Sequence, residues 1–148
     1  MRRLLFLASL TLFGSAASAQ LRLPVIIPRQ PPPVVPVGID MLRADFLARS
    51  GSDKVYFAGD SAALGAPARA TLAAQAQWLR QHPEVVVRIE GHADLGDTRD
   101  HALAVGARRA EEVRDYLVLL GVPAAQLSTT SLGKERPGPP RAVTVLVR

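Results

Sequence analysis

The sequence predicts an α+β domain of order βαβαββ: a sandwich of one small mixed sheet with two main helices on one face. Three observations lead there. "VVVRIE" (85–90) alternates Val85, Val87 and Ile89 with Val86, Arg88 and Glu90, the period of a strand. Two longer stretches have helical spacing and end on helix stops, Pro83 for one and Gly121 with Pro123 for the other. After the second stretch come only β-rich segments, "LSTTSLG" and "AVTVLVR". Runs of this kind fold as a sheet with its helices layered on it.

In chain order, "IDMLRADFLARS" (39–50) lacks a clear period and reads as a short helix or a lead-in packed on the core. "KVYFAG", Lys54 to Gly59, combines β-formers with a terminal glycine and is the first strand. Pro67 suits the first turn of a helix running to about His82, with Ala68, Leu72, Ala76 and Leu79 along its apolar face. His82, at that helix's end, complements the dipole there. "VVVRIE" is the second strand, and the long helix runs from about Thr98 to Leu120. Leu127–Gly133 and Ala142–Arg148 are the last two strands.

The chain of 148 residues has room for one domain with a modest core. Residues 1–19 have the form of a secretory signal: Arg2 and Arg3, an apolar stretch from Leu4 to Phe13, and the small-residue site Ala17-Ser18-Ala19. That stretch is far shorter than the ~20 residues a spanning helix requires. Residues 20–38 form a proline-rich linker, with six of the twelve prolines between Pro24 and Pro36, expected to extend as a polyproline-like spacer. The domain itself covers 39–148. The absence of cysteine excludes disulfides, thiolate metal sites and thiol nucleophiles. The formal charge is +5, its cations are interleaved with acids, and aromatics are scarce, so nucleic-acid binding is not expected.

The stretch "EGHADLGDTRDHALAVGARRAEEV" (90–113) holds most of the polar chemistry. Indexed at ~100° per residue, Leu103, Gly106, Ala110, Val113 and Leu117 form the inward stripe of the long helix. Arg108 then points to solvent, and Arg109 lies at the stripe's margin with its guanidinium aimed sideways. Asp94 follows the second strand, in the kind of loop where ligands bind in layered α/β arrangements. An Asp and an Arg at one cleft suit a zwitterion, the carboxylate accepting from an ammonium and the guanidinium gripping a carboxylate. An internal salt bridge without a ligand accounts for the same residues. His92, Asp94 and His101 are three potential metal ligands, but their spacing fits no helix-borne pair. No GxSxG element supports a serine relay.

Four segments carry a family resemblance: "DKVYFAGDSAAL", "LAAQAQWLRQHPEVVVRIEGHAD", "GARRAEEVRDYLVLLGV" and "LSTTSLGKERP". Together, from about Ala44 to Pro137, they resemble the OmpA-like C-terminal domain family, and within it the peptidoglycan-associated lipoproteins. The resemblance implies a non-enzymatic, cofactor-free domain that binds peptidoglycan non-covalently through the diaminopimelate of its stem peptide. It also implies Asp94 and Arg109 as the residues that hold that zwitterion, with Asp60 and Thr98 lining the same cleft. A periplasmic location against the wall or outer membrane follows, as does contact with Tol-system periplasmic proteins.

This chain departs from the family pattern at several places. Leu95-Gly96-Asp97 stand where the family has "ERG", and Asp100-His101-Ala102 where it commonly has "EYN", so a side-chain donor is lost at Ala102. Asp97 adds a negative charge as a candidate N-cap. Gly59 replaces the second aromatic of F-x-F-D, and Gly138-Pro139-Pro140-Arg141 shorten a loop, leaving Arg141 as its basic residue. With no cysteine to carry a lipid, the expectation is a cleaved periplasmic protein bound to the wall without a lipid tie. Two competing readings are a degenerate protein-interaction module without wall binding and a metal-dependent hydrolase at His92, Asp94 and His101.

Overall fold

The computed structural model describes residues 38–147 apart from Leu95 and Asp97. The expected signal and proline-rich linker lie outside the described residues. Seven main elements follow in order: α1 (Ile39–Ser50), β1 (Lys54–Tyr56), α2 (Ala66–Gln81), β2 (Val87–His92), α3 (Arg99–Leu119), β3 (Leu127–Gly133) and β4 (Arg141–Leu146). A short 3-10 helix, Ala124–Gln126, precedes β3. The sheet order is β1-β4-β2-β3, with β2 and β3 parallel and both β4 pairings antiparallel.

The α+β class and its small mixed sheet are as expected, with a third helix added ahead of the first strand. α1 is the segment whose period was unclear. Phe46, fully buried, sets its ring edge-on to Trp78 of α2 at 5.2 Å. The Trp78 indole donates to Asp45 Oδ2 at 2.7 Å, which holds that carboxyl below its usual range. The helix ends where Gly51 turns left-handed (φ 74°) and donates to the Leu47 carbonyl. Tertiary packing, rather than a stripe, makes this segment helical.

One face of the sheet builds the core. Val55, Ala142, Leu146, Val87 and Ile89 alternate inward and bury against Leu72, Ala76 and Leu79 of α2 and Ala110, Val113 and Leu117 of α3. Two glutamines fasten the layers. Gln75 of α2, fully buried, donates to the Ser52 carbonyl and accepts from Thr144 Oγ1 of β4, both at 2.8 Å. Gln126 donates to the carbonyls of His82 (2.8 Å) and Val85 (3.0 Å), closing the connection from α2 to β2. His82 stacks on Trp78 at 3.9 Å, its Nδ1 2.8 Å from the Trp78 carbonyl at the helix end.

β3 has the expected bounds, and the ends of the other three strands differ from expectation by one to three residues. β1 stops at Tyr56 because Phe57 makes its backbone bond to Pro140 and Gly59 then turns the chain at φ 48°. β2 starts later and runs on to His92, since β4 and β3 supply partners on both sides. β4 begins at Arg141. Among the described residues no helix is long and apolar enough to cross a membrane.

Candidate functional site

Close backbone contact between β2 and α3 creates the site. At Gly91 and Gly106 neither residue has a side chain, so the strand lies against the helix; a Cβ at Gly91 would fall 1.8 Å from the Gly106 carbonyl oxygen. From β3, Ser131 Oγ donates to the Leu103 carbonyl at 2.7 Å and fixes the same turn of α3. Arg109, one turn beyond Gly106, is thereby carried beneath the end of β2.

Arg109 is 0% exposed, so it lies inside rather than at the margin of the buried stripe. Its Nη1 donates to the His92 carbonyl at 2.7 Å, Nε to the Ser61 carbonyl at 2.9 Å, and Nη2 to the Gly59 carbonyl. The guanidinium carbon stands 5.3 Å from the centre of the Phe57 ring, a cation–π contact. One side chain thus ties the loop after β1 to the end of β2. The inward face of α3 is Ala102, Val105, Gly106, Arg109, Ala110, Val113 and Leu117, with Leu103 only half-buried. Arg108 is exposed, as indexing requires.

Asp60 stands between the two loop carbonyls that Arg109 holds. Its side chain is 67% exposed and its Oδ2 lies 3.6 Å from His101 Nε2. Thr98 caps α3, its hydroxyl accepting from the His101 backbone N–H at 3.4 Å. The cap is therefore Thr98; Asp97, the other candidate, lies outside the described residues. Asp60, Thr98 and Arg109 are joined through His101 and the 59–61 backbone. Asp94 is exposed on the loop after β2, two residues beyond the carbonyl that Arg109 binds.

Gly59, Ser61, Phe57 and His101 complete the arrangement and were not singled out for it by the sequence. The first two act through backbone oxygens, which no side-chain pattern displays. His101, a potential metal ligand by sequence and part of the segment that departs from the family pattern, turns its ring to Asp60. Ala102, at the position of the lost donor, packs with Ala93 and Val105.

His92 turns its ring away from α3, to the other side of the sheet. The ring is 1% exposed, and neither nitrogen has a hydrogen-bond partner among the described residues. Burial, with Arg141 and Arg136 nearby, lowers its pKa to about 4 against the opposing pull of Glu90. His92 and His101 therefore lie in different environments. Among the described residues no three His, Cys, Asp or Glu side chains gather into a group that could hold a metal ion.

A model described as the OmpA family matches residues 56–143. The peptidoglycan-associated lipoprotein of Mesorhizobium japonicum is 50% identical over 93 residues, 63% of this chain and 55% of its own. The protein of the same name from Pseudomonas aeruginosa is 41% identical over 99 residues, 67% of this chain and 58% of its own. This chain thus spans little more than half the length of these relatives. The crystal structure of the peptidoglycan-associated lipoprotein from Burkholderia pseudomallei superposes with a TM-score of 0.63 at 38% identity, covering 66% of this chain and 92% of that one. The C-terminal domain of Helicobacter pylori MotB shares the fold at a TM-score of 0.60 and 22% identity, over 65% of this chain and 84% of its own.

Proposed function

The chain belongs to the OmpA family, and from that premise we propose that it is a non-enzymatic envelope protein that binds peptidoglycan at the rim over Arg109. The ligand is the diaminopimelate of the stem peptide, whose free end carries an ammonium and a carboxylate. Asp94 takes the ammonium, Arg109 supplies the cation for the carboxylate, and Asp60 and Thr98 line the approach. The observation that carries this reading is the grip of Arg109 on the Gly59, Ser61 and His92 carbonyls. It fixes the loop bearing Asp60 and the strand end leading to Asp94 around one guanidinium, before any ligand arrives. A rim held in this way loses little freedom on binding. The names of the relatives, which place them with peptidoglycan, support the choice of polymer.

Because Arg109 is 0% exposed, its contact with a carboxylate requires what covers it to move aside, while its bonds to the Gly59, Ser61 and His92 carbonyls stay in place and keep the rim fixed. The test is retention of the full chain on purified sacculi, with circular dichroism confirming that each variant is folded. Asp94→Ala and Arg109→Ala should each reduce retention, and Arg108→Ala should not. Equal retention of all four proteins would remove the site.

A further inference from the structure

The face of the sheet turned away from the helices presents an apolar strip flanked by cations. Val143 and Val145 of β4 are half-buried along its middle, and Tyr56 of β1, 56% exposed, stands opposite Arg141 and diagonal to Val143. Register places Lys54 opposite Val143 on one side and Arg88 opposite Val145 on the other. These residues alternate with the inward-facing ones, so their side chains share the helix-free face.

A buried carboxylate organises the cations on the β2 side. Glu90, 3% exposed, accepts from Arg88 Nη2 at 3.1 Å and from Arg136 Nη1 at 3.0 Å, one arginine on each oxygen. Both arginines remain substantially exposed, at 46% and 64%. Their guanidinium planes are thus anchored at one edge and presented to solvent at the other, a pre-arranged fork for carboxylates. The four cations Lys54, Arg88, Arg136 and Arg141 outnumber the two acids, Glu90 and Asp53, the latter 3.8 Å from Lys54.

We propose that this face is a docking surface for an acidic polypeptide segment. The partner lays apolar side chains on Tyr56, Val143 and Val145 and sets its carboxylates against Arg88, Arg136 and Lys54. An exposed aromatic and two valines on β1 and β4, with anchored arginines on the β2 side, have the composition of a protein interface core with a charged rim. Two of its cations are partly neutralised by Glu90, leaving less charge than the lysine- and arginine-rich clusters that hold anionic membranes. The surface lies on the opposite side of the sheet from Gly91 and Arg109, so wall binding and docking are separate events.

The test is titration of the full chain with a fluorescein-labelled peptide of alternating Glu and Val, beside its Lys–Val counterpart and phosphatidylglycerol vesicles. Saturable binding of the Glu–Val peptide alone is expected, weakened about tenfold by Lys54→Glu, which leaves Glu90 its partners. The combined Arg88→Met, Glu90→Leu, Arg136→Met variant removes the whole ion triad without stranding a charge and should abolish binding. Sacculus retention should be unchanged by Lys54→Glu, which separates this proposal from the wall-binding reading. Equal binding of the Lys–Val peptide, binding of vesicles alone, or a Glu–Val affinity indifferent to both variants would overturn it.

Discussion

Gly91 and Gly106 meet backbone to backbone, and a Cβ on Gly91 would overlap the Gly106 carbonyl at 1.8 Å. No rotamer relieves a clash with a main-chain atom, so Gly91→Ala must push α3 off β2. The expected cost is about 3 kcal/mol, the upper end of overpacking penalties. Gly106→Ala meets the Ser131 hydroxyl at 2.4 Å and the Gly91 carbonyl at 2.8 Å. It should cost less, because alanine in a helix returns about 1 kcal/mol. Urea denaturation measures both; a Gly91→Ala protein as stable as wild type would contradict the contact.

Arg109 and Arg108 are neighbours with opposite roles. Removing the Arg109 guanidinium leaves three carbonyls without their donor, and hydrogen bonds to a charged group contribute roughly 1.5–3 kcal/mol each, though not additively. Arg109→Ala should therefore destabilise the domain by about 3 kcal/mol or more, while Arg108→Ala stays within about 0.5 kcal/mol. In the wall-binding reading, the folded fraction of Arg109→Ala should also lose about 1.5–3 kcal/mol of affinity for a diaminopimelate-containing muropeptide. Melting curves followed by calorimetric titration separate the two effects.

The sheet, α2 and α3 were legible because their side chains repeat with the period of the structure, as in Val85–Glu90 and Ala68–Leu79. The preference for Arg109 over Arg108 was legible for the same reason, but its depth was not. Hydrophobic indexing treats arginine as polar and pushes it to the margin, whereas here its partners are the backbone oxygens of Gly59, Ser61 and His92. α1 was obscured because its decisive contacts are Phe46 and Asp45 with Trp78, 32 and 33 residues away, rather than a local stripe. β2 runs two residues beyond the alternating pattern because Gly91 and His92 have no strand propensity of their own. They are strand because β3 and β4 pair with them.

Gln126 joins the end of α2 to the start of β2 through one amide group, donating to His82 and Val85 carbonyls. Leucine has similar bulk and no donor, so Gln126→Leu removes both bonds; the His82 carbonyl keeps the Val85 backbone N–H at 3.0 Å, and the Val85 carbonyl loses its amide donor. The expected loss is about 1–3 kcal/mol, read as a lower thermal midpoint. An unchanged midpoint would show that solvent replaces the amide at no cost.

His92 should make stability depend on pH in a defined window. In the folded domain its pKa is lowered to about 4, chiefly by burial and then by Arg141, with Glu90 opposing and Arg136 adding. In the unfolded chain it titrates near the usual ~6.5. Above about 6.5 the ring is neutral in both states and contributes no pH dependence. As pH falls below that value the unfolded chain takes up a proton that the folded domain refuses, so stability declines until about pH 4 and then levels off. The full loss is on the order of 3 kcal/mol. Because neither ring nitrogen has a hydrogen-bond partner among the described residues, His92→Leu strands no acceptor or donor and should be well tolerated at pH 7. Urea titrations of both proteins at pH 7 and pH 4.5 provide the comparison, since carboxylate effects common to the two cancel in the difference. Wild type should lose about 2–3 kcal/mol more than His92→Leu over that interval. Parallel profiles would mean that the imidazolium finds solvation in the folded domain and that the ring is not sealed from water.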